Sequence, residues 1–229
     1  MLISVHLPKT AGSSFLAAVE QHFGERLLKD YGDRPITRST LVRNITAVKG
    51  SIAHAALAGS LSRYDCIHGH FMPLKYRWMK ADSAVQFVTW VRHPVERLAS
   101  HYFHWMRVAP PAHASAIRRR VFAEQWSLER FCLGPDFRNI YSKYLWGFPL
   151  DHFDFVGITE HYAAEMRCFS KMYMDVDLLV KRENINPQRE STTYVDDRLL
   201  RGRIETYHAA DMALYNRALQ LRQLRLNSL

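Results

Sequence analysis

Lys9, Thr10, Gly12, Ser13 and Ser14 stand together in the run Pro8-Lys9-Thr10-Ala11-Gly12-Ser13-Ser14. The chemistry of such a run is the binding of an anion. A lysine supplies a point charge, three hydroxyls supply donors, and a glycine lets the backbone come close to what is bound. A second run, Arg92-His93-Pro94-Val95-Glu96-Arg97-Leu98-Ala99-Ser100, places a guanidinium and a hydroxyl eight residues apart. A third, His68-Gly69-His70, carries two imidazoles at the spacing that puts side chains on one side of an extended chain. Three readings of that pair are open. It could be part of a metal site lacking a recognisable third ligand, two structural histidines with satisfied hydrogen bonds, or a general base with an orienting partner.

The elements that must hold these groups are legible around them. Leu2, Ile3, Val5 and Leu7 form an apolar run before the first motif, and Phe15, Leu16, Val19 and Phe23 recur at helical spacing after it. That is a buried strand, a tight loop and an amphipathic helix, whose first amides and dipole face the same anion. The nucleoside-triphosphate loop GxxxxGK, closed by Ser or Thr, puts its lysine directly after a glycine; here Lys9 comes three residues before Gly12. The second motif also follows an apolar strand, Val85 to Val91, and Pro94 suits the first turn of a helix. Val95, Leu98, Ala99, Tyr102 and Met106 should form that helix's buried face, with Arg97, Ser100, His101 and His104 opposite. Arg92 stands where a magnesium-dependent NTPase places a carboxylate for its metal. The sequence therefore expects two phosphate sites and no metal site.

These residues resemble a known family. Pro8 to Ser14 resembles the 5′-phosphosulfate loop of sulfotransferases, and Arg92 to Tyr102 resembles their 3′-phosphate motif, RxPxxRxxSxY. His68-Gly69-His70-Phe71 resembles the histidine motif of the heparan-sulfate 2-O-sulfotransferase branch, and the segments Phe153 to Glu160 and Asp211-x-x-Leu214-Tyr215 also resemble that branch. The resemblance implies an α/β fold with a central parallel sheet flanked by helices, related to P-loop nucleotide-binding architecture. It implies sulfuryl transfer from 3′-phosphoadenosine 5′-phosphosulfate (PAPS) to a hydroxyl, on a carbohydrate or glycolipid acceptor. Pro8, Lys9, Thr10, Ala11, Gly12, Ser13 and Ser14 would hold the 5′ end of the nucleotide, and Arg92 and Ser100 the 3′-phosphate. Lys9 would also stabilise the leaving oxygen, and His70, with His68 as orienter or alternate base, would take the acceptor proton. The family's late loop, which closes over the nucleotide, corresponds to the polar stretch around Arg189, the expected third cofactor-binding cation. For Arg97 the motif position and a structural ion pair are both open.

Composition agrees with a polyanion or nucleotide partner. The chain has 229 residues, 48% of them hydrophobic, with 12 histidines and a formal net charge of +9. That is enough to bury a core as one domain over residues 1–229. Two further classes fit parts of the pattern: a nucleotide kinase with the same sheet, and a non-catalytic binder of anionic polymers. Nucleic acid is not the expected partner. The three cysteines, Cys66, Cys132 and Cys168, have no CxxC spacing and read as reduced thiols. With no leader or long apolar segment evident, a cytoplasmic protein without a membrane span is expected.

The remaining stretches are less distinct. Gly24 to Tyr64 contains a loop at Asp30 to Pro35 and a short helix around Ala55 to Ala58, and is expected over the sheet's carboxyl edge. Arg34, Arg38, Arg43 and Lys49 within it read as surface charges or acceptor contacts, and Arg118 to Arg120 as an exposed helical face. Asn139 and Lys143 should share a helix face, with Tyr141, Tyr144 and Trp146 either stacking on sugar rings or packing in the core. Thr159 and Asp211 read as N-caps of the helices that follow them.

Overall fold

The computed structural model of the chain describes residues 1–33, 35–36, 38–56, 58–174 and 193–228. Its strands are β1 (Leu2–Val5), β2 (Leu27–Lys29), β3 (Cys66–Gly69), β4 (Gln86–Val91) and β5 (Phe155–Ile158). They form one five-stranded sheet in the order β2-β3-β1-β4-β5, with every neighbouring pair parallel. β1, β3 and β5 are buried along their whole length, as strands of a parallel sheet covered on both faces must be. The architecture is thus α/β with a central parallel sheet flanked by helices, consistent with a P-loop-like fold.

The main helices are α1 (Gly12–Phe23), α2 (Thr40–Ala56), α3 (Ala58–Leu61), α4 (Pro94–Arg107) and α5 (Ala116–Ala123). They continue as α6 (Leu128–Cys132), α7 (Ile140–Tyr144), α8 (Tyr162–Tyr173), α9 (Arg198–Tyr207) and α10 (Ala209–Asn227). α1 and α8 cover one face of the sheet, where Phe15, Val19, Met166 and Phe169 pack on Leu2, Cys66, Val88 and Trp90. α7 and α10 cover the other, with Tyr141, Tyr144 and Ala218 against Ile3, Val5, Ile67 and Phe87. Phe15 is sealed from solvent between Trp90 and Phe169, its ring centroid 5.6 Å and 5.1 Å from theirs. Burying that ring is worth about 2–3 kcal/mol, and it pins α1 to the sheet directly behind the Lys9 loop.

Several local expectations need correcting. Tyr141 and Tyr144 are core residues, so the option of stacking on sugar rings fails for both. Asp211 does not cap its own helix: it is buried in the first turn of α10 and accepts the backbone N–H groups of Tyr141 (3.1 Å) and Ser142 (3.2 Å). It therefore caps α7 from across the chain, because those first-turn amides have no intrahelical acceptor. Thr159 leaves its hydroxyl buried without a hydrogen-bond partner among the described residues, and α8 begins after His161 with no side-chain cap among them. Gly24 to Tyr64 does not simply lie over the carboxyl edge. It contributes the edge strand β2, and α2 packs along the 3₁₀ segment Pro73–Ala81. The last turn of α2 reaches Met1 and Val85 at the amino edge of the sheet. Arg43, read as a surface charge or acceptor contact, is buried.

Candidate active site

β1 and β4 are adjacent, so the loops leaving their carboxyl ends open side by side. After β1 the backbone turns through Lys9 at φ 68° and Ala11 at φ 64°, both left-handed without being glycine. Two such residues in one loop store about 1–3 kcal/mol each and persist only where the surroundings hold them. Thr10 is part of what holds them: its buried hydroxyl donates to the Leu7 carbonyl at 2.8 Å. The hydroxyl is thus a brace for the loop, not the open anion donor expected from sequence. Helix α1 starts at Gly12 with no side-chain cap on Ala11, and its first intrahelical bond among these residues is Phe15 N–H to Ala11 O. The amides of Gly12, Ser13 and Ser14 precede that bond and lie at the positive end of the dipole. Ser13 is exposed and Ser14 is buried.

Gly12 is demanded by something the sequence reading missed. A Cβ there would lie 1.6 Å from Nε2 of His6, so the missing side chain makes room for an imidazole and not for an anion. His6 stacks on His70 with ring centroids 4.2 Å apart and lies 5.2 Å from His68. Tyr31 stands edge-on to the cluster, 5.1 Å from His70. The parity was visible: Ser4 pairs with His68 in register, so Ser4-x-His6 and His68-x-His70 continue two neighbouring strands on the same side.

The two expected histidines differ in their surroundings. His68 is sealed, hydrogen-bonded through Nδ1 to the Ser4 hydroxyl at 2.9 Å, with Nε2 unpartnered. Burial, then the neighbouring His70 and Lys29 charges, takes its pKa down to about 3. His70 lies just past β3 and is half-buried; its Nδ1–H donates to the His6 carbonyl at 2.5 Å. That bond fixes the tautomer with Nε2 as the acceptor. Burial lowers its pKa and the carbonyl partly offsets that. The orienter of His70 is therefore the His6 backbone, not His68. Gly69 belongs to the strand: it pairs with Val5, and a Cβ there would lie 1.7 Å from the Asp30 carbonyl oxygen.

On the β4 side, the Arg92 backbone is clamped by the Tyr141 hydroxyl, which accepts from its N–H (2.9 Å) and donates to its C=O (2.6 Å). The Arg92 guanidinium lies over the Tyr194 ring at 5.4 Å, and Tyr194 stacks on Phe103 of α4. α4 is buried on two faces, not one. Val95, Leu98 and Ala99 pack in one cluster, and Arg97 and His101, expected to face solvent, are buried too. Arg97 makes no close ion pair or side-chain hydrogen bond among the described residues: the Tyr141 ring stands 5.6 Å from its guanidinium, and its charge acts on the buried Asp211 carboxylate, whose pKa burial pushes up and Arg97 draws down. Its neighbour Glu96 makes the structural pair instead, with Arg201 of α9 at 3.0 Å. Ser100, half-buried one turn further on, has no hydrogen bond among the described residues. Comparison with protein-family models and with curated proteins returns no match to this chain.

Electrostatics tie the two loops together. Burial, then the charges of Arg92 and Arg107, brings the Lys9 ammonium down to about 8. Lys9 in turn helps hold down two histidines of α4: His104, where it follows burial, and His101, where it follows burial and Arg97. Lys9, Arg92, Arg97 and Arg107 thus form a cationic cluster at the ends of β1 and β4, beside a neutral imidazole cluster at the ends of β1 and β3. Among the described residues no three His, Cys, Asp or Glu side chains are grouped to hold a metal ion. Arg189 lies outside the described residues.

Proposed function

We propose that this protein is a sulfotransferase, moving the sulfuryl group of PAPS to a hydroxyl of a carbohydrate or glycolipid acceptor. The observation that carries the reading is the convergence of two cationic strand ends next to a neutral, oriented imidazole. PAPS has two anionic ends, a 5′-phosphosulfate and a 3′-phosphate. The Lys9 loop with the first amides of α1 suits the former, and Arg92 with the unpartnered Ser100 hydroxyl suits the latter. The buried Arg97 guanidinium, without a hydrogen-bond partner among the described residues, supports the fit, since it adds positive charge beside the Arg92 strand end. Arg189 is retained as a third contact. A kinase reading is weaker, because Arg92 occupies the strand end where a magnesium carboxylate would be needed.

In the reaction the acceptor oxygen attacks sulfur as the bond from sulfur to the 5′-phosphate oxygen breaks, in line. Nε2 of His70 takes the hydroxyl proton; with a lowered pKa it is neutral and ready to accept at neutral pH. Lys9 and the α1 amides meet the charge that builds on the leaving phosphate oxygen. Holding acceptor and donor in line supplies much of the acceleration. A cytoplasmic location and the absence of a nucleic-acid partner belong to the same proposal; no described helix is long and apolar enough to cross a membrane.

Incubation with radiolabelled PAPS and a panel of glycans, glycolipids and small alcohols tests this. Label should appear in at least one hydroxyl acceptor. Magnesium-dependent transfer from ATP, with no transfer from PAPS to any acceptor, would overturn it.

A further inference from the structure

α2 is inverted. Its inward face carries Arg43, Ala47 and Ser51, packed on Pro73–Ala81, while Leu41, Val42, Ile45, Val48 and Ile52 face outward. Leu41 is 70% and Ile52 65% exposed, and the spacing 41-45-48-52 makes a continuous apolar stripe along the helix. Trp78, on the 3₁₀ segment against which α2 packs, is 56% exposed. Single exposed apolar residues need no explanation, but a contiguous patch of this kind marks an interaction surface.

The charges around the stripe select the occupant. Neither Thr40–Ala56 nor Pro73–Ala81 contains a carboxylate, and together they carry Arg43, Lys49, Lys75, Arg77 and Lys80. Arg43 is buried, Lys75 is paired with Asp30 and Asp33, and Lys80 with Asp154. Lys49 and Arg77 are exposed without an ion pair among the described residues, Arg77 lying over the Trp78 ring at 4.9 Å. A second copy of the chain would set Lys49 and Arg77 against their own equivalents. An anionic lipid surface meets both the cations and the apolar stripe. An amphipathic helix in the membrane plane with an exposed tryptophan beside it at headgroup level has this composition. Trp78 also lines a cavity of about 620 Å³ with Ala55, Tyr76, Met79 and Val85, whose polar lining includes Lys75 and Asp82.

We propose that the outer face of α2, with Trp78, Lys49 and Arg77, docks the protein peripherally on an anionic membrane. This stands independently of the sulfotransferase reading. The test is co-sedimentation of the full chain with vesicles of phosphatidylcholine alone or mixed with phosphatidylglycerol, at low and high salt. Binding should be at least tenfold stronger on the anionic vesicles and should fall as salt screens the cations. Ile45→Glu and Ile52→Glu should each remove most of it with the melting temperature unchanged, since both side chains are exposed. As a second readout, anionic vesicles should shift tryptophan emission to the blue in the parent protein but not in Trp78→Phe. Absence of vesicle binding, equal binding to both vesicle types, or undiminished binding by Ile45→Glu would overturn the proposal. A dimer seen by light scattering without vesicles, made monomeric by Ile45→Glu, would assign the face to a second copy instead.

Discussion

Arg97 and His68 are equally sealed from solvent, 0% and 1% exposed, on neighbouring parts of the same sheet edge. Burial acts on them in opposite ways. An imidazole escapes the cost of desolvation by giving up its proton, and His68 does so, its pKa driven down to about 3. A guanidinium has no neutral form within reach. Among the described residues the Arg97 guanidinium has no hydrogen-bond partner, and the buried carboxylate its charge acts on is Asp211. One side of the edge thus becomes a neutral cluster fit to accept a proton. The other becomes a cationic cluster fit to accept an anion.

Mutations should separate the two sides. His70→Ala should lower turnover by about 10²–10⁴, roughly 3–5 kcal/mol, while leaving affinity for 3′-phosphoadenosine 5′-phosphate unchanged. Steady-state kinetics beside calorimetric titration of that nucleotide decide it, and a joint fall in both would merge the two clusters into one. On the cationic side, Lys9→Ala should cost about 10²–10³ in kcat, because its charge matters most as the leaving oxygen becomes anionic. Arg92→Ala should instead weaken nucleotide binding by about 2–4 kcal/mol. An effect of Lys9→Ala on KM alone would contradict its assigned role.

Arg97→Met sharpens the contrast further. Removing a buried guanidinium that makes no side-chain hydrogen bond among the described residues should raise the stability of the ligand-free protein, by about 1–4 kcal/mol, and reduce its affinity for the nucleotide. Calorimetric melting with and without nucleotide measures both, and a destabilised ligand-free variant would mean that Arg97 is already compensated. The smallest effects lie in pH. His68, at about 3, and His208, at about 4, are both lowered in the folded state, so between those values and 6.5 the unfolded chain binds more protons. Stability should therefore be intact above pH 6.5 and fall as the medium is acidified towards pH 4. Lys9, brought down to about 8, works in a separate window: stability should rise as pH goes from 8 towards 10.5. Melting temperature against pH checks both signs.

The sheet and the cationic loops were legible because their signals are local. An apolar strand running into Pro8-Lys9-Thr10-Ala11-Gly12 or Arg92-His93-Pro94 needs no partner to be recognised. What escaped depends on contacts between distant segments. β2 is three half-buried or exposed residues, Leu27-Leu28-Lys29, that become a strand only by pairing with β3. Arg97 and His101 lie on the polar side of α4 by periodicity, yet a second layer covers that side. Asp211 has the sequence position of a cap and caps a helix about seventy residues upstream. Gly12 looks like a phosphate-loop residue, but an imidazole approaches it, and Gly69 is called for by the Asp30 carbonyl beside it. The inversion of α2 is written in its sequence as a mixed stretch, and only the packing on Pro73–Ala81 tells which side is out.

The central claim is that the ends of β1 and β4 form one site for a nucleotide with anions at both its 3′ and 5′ positions. Thermal melting with 3′-phosphoadenosine 5′-phosphate and with AMP tests it most directly, because a ligand bound only by the folded state raises the melting temperature by linkage. The bisphosphate should raise it clearly and AMP, lacking the 3′-phosphate, far less. Equal stabilisation by both nucleotides, or by neither, would contradict the account.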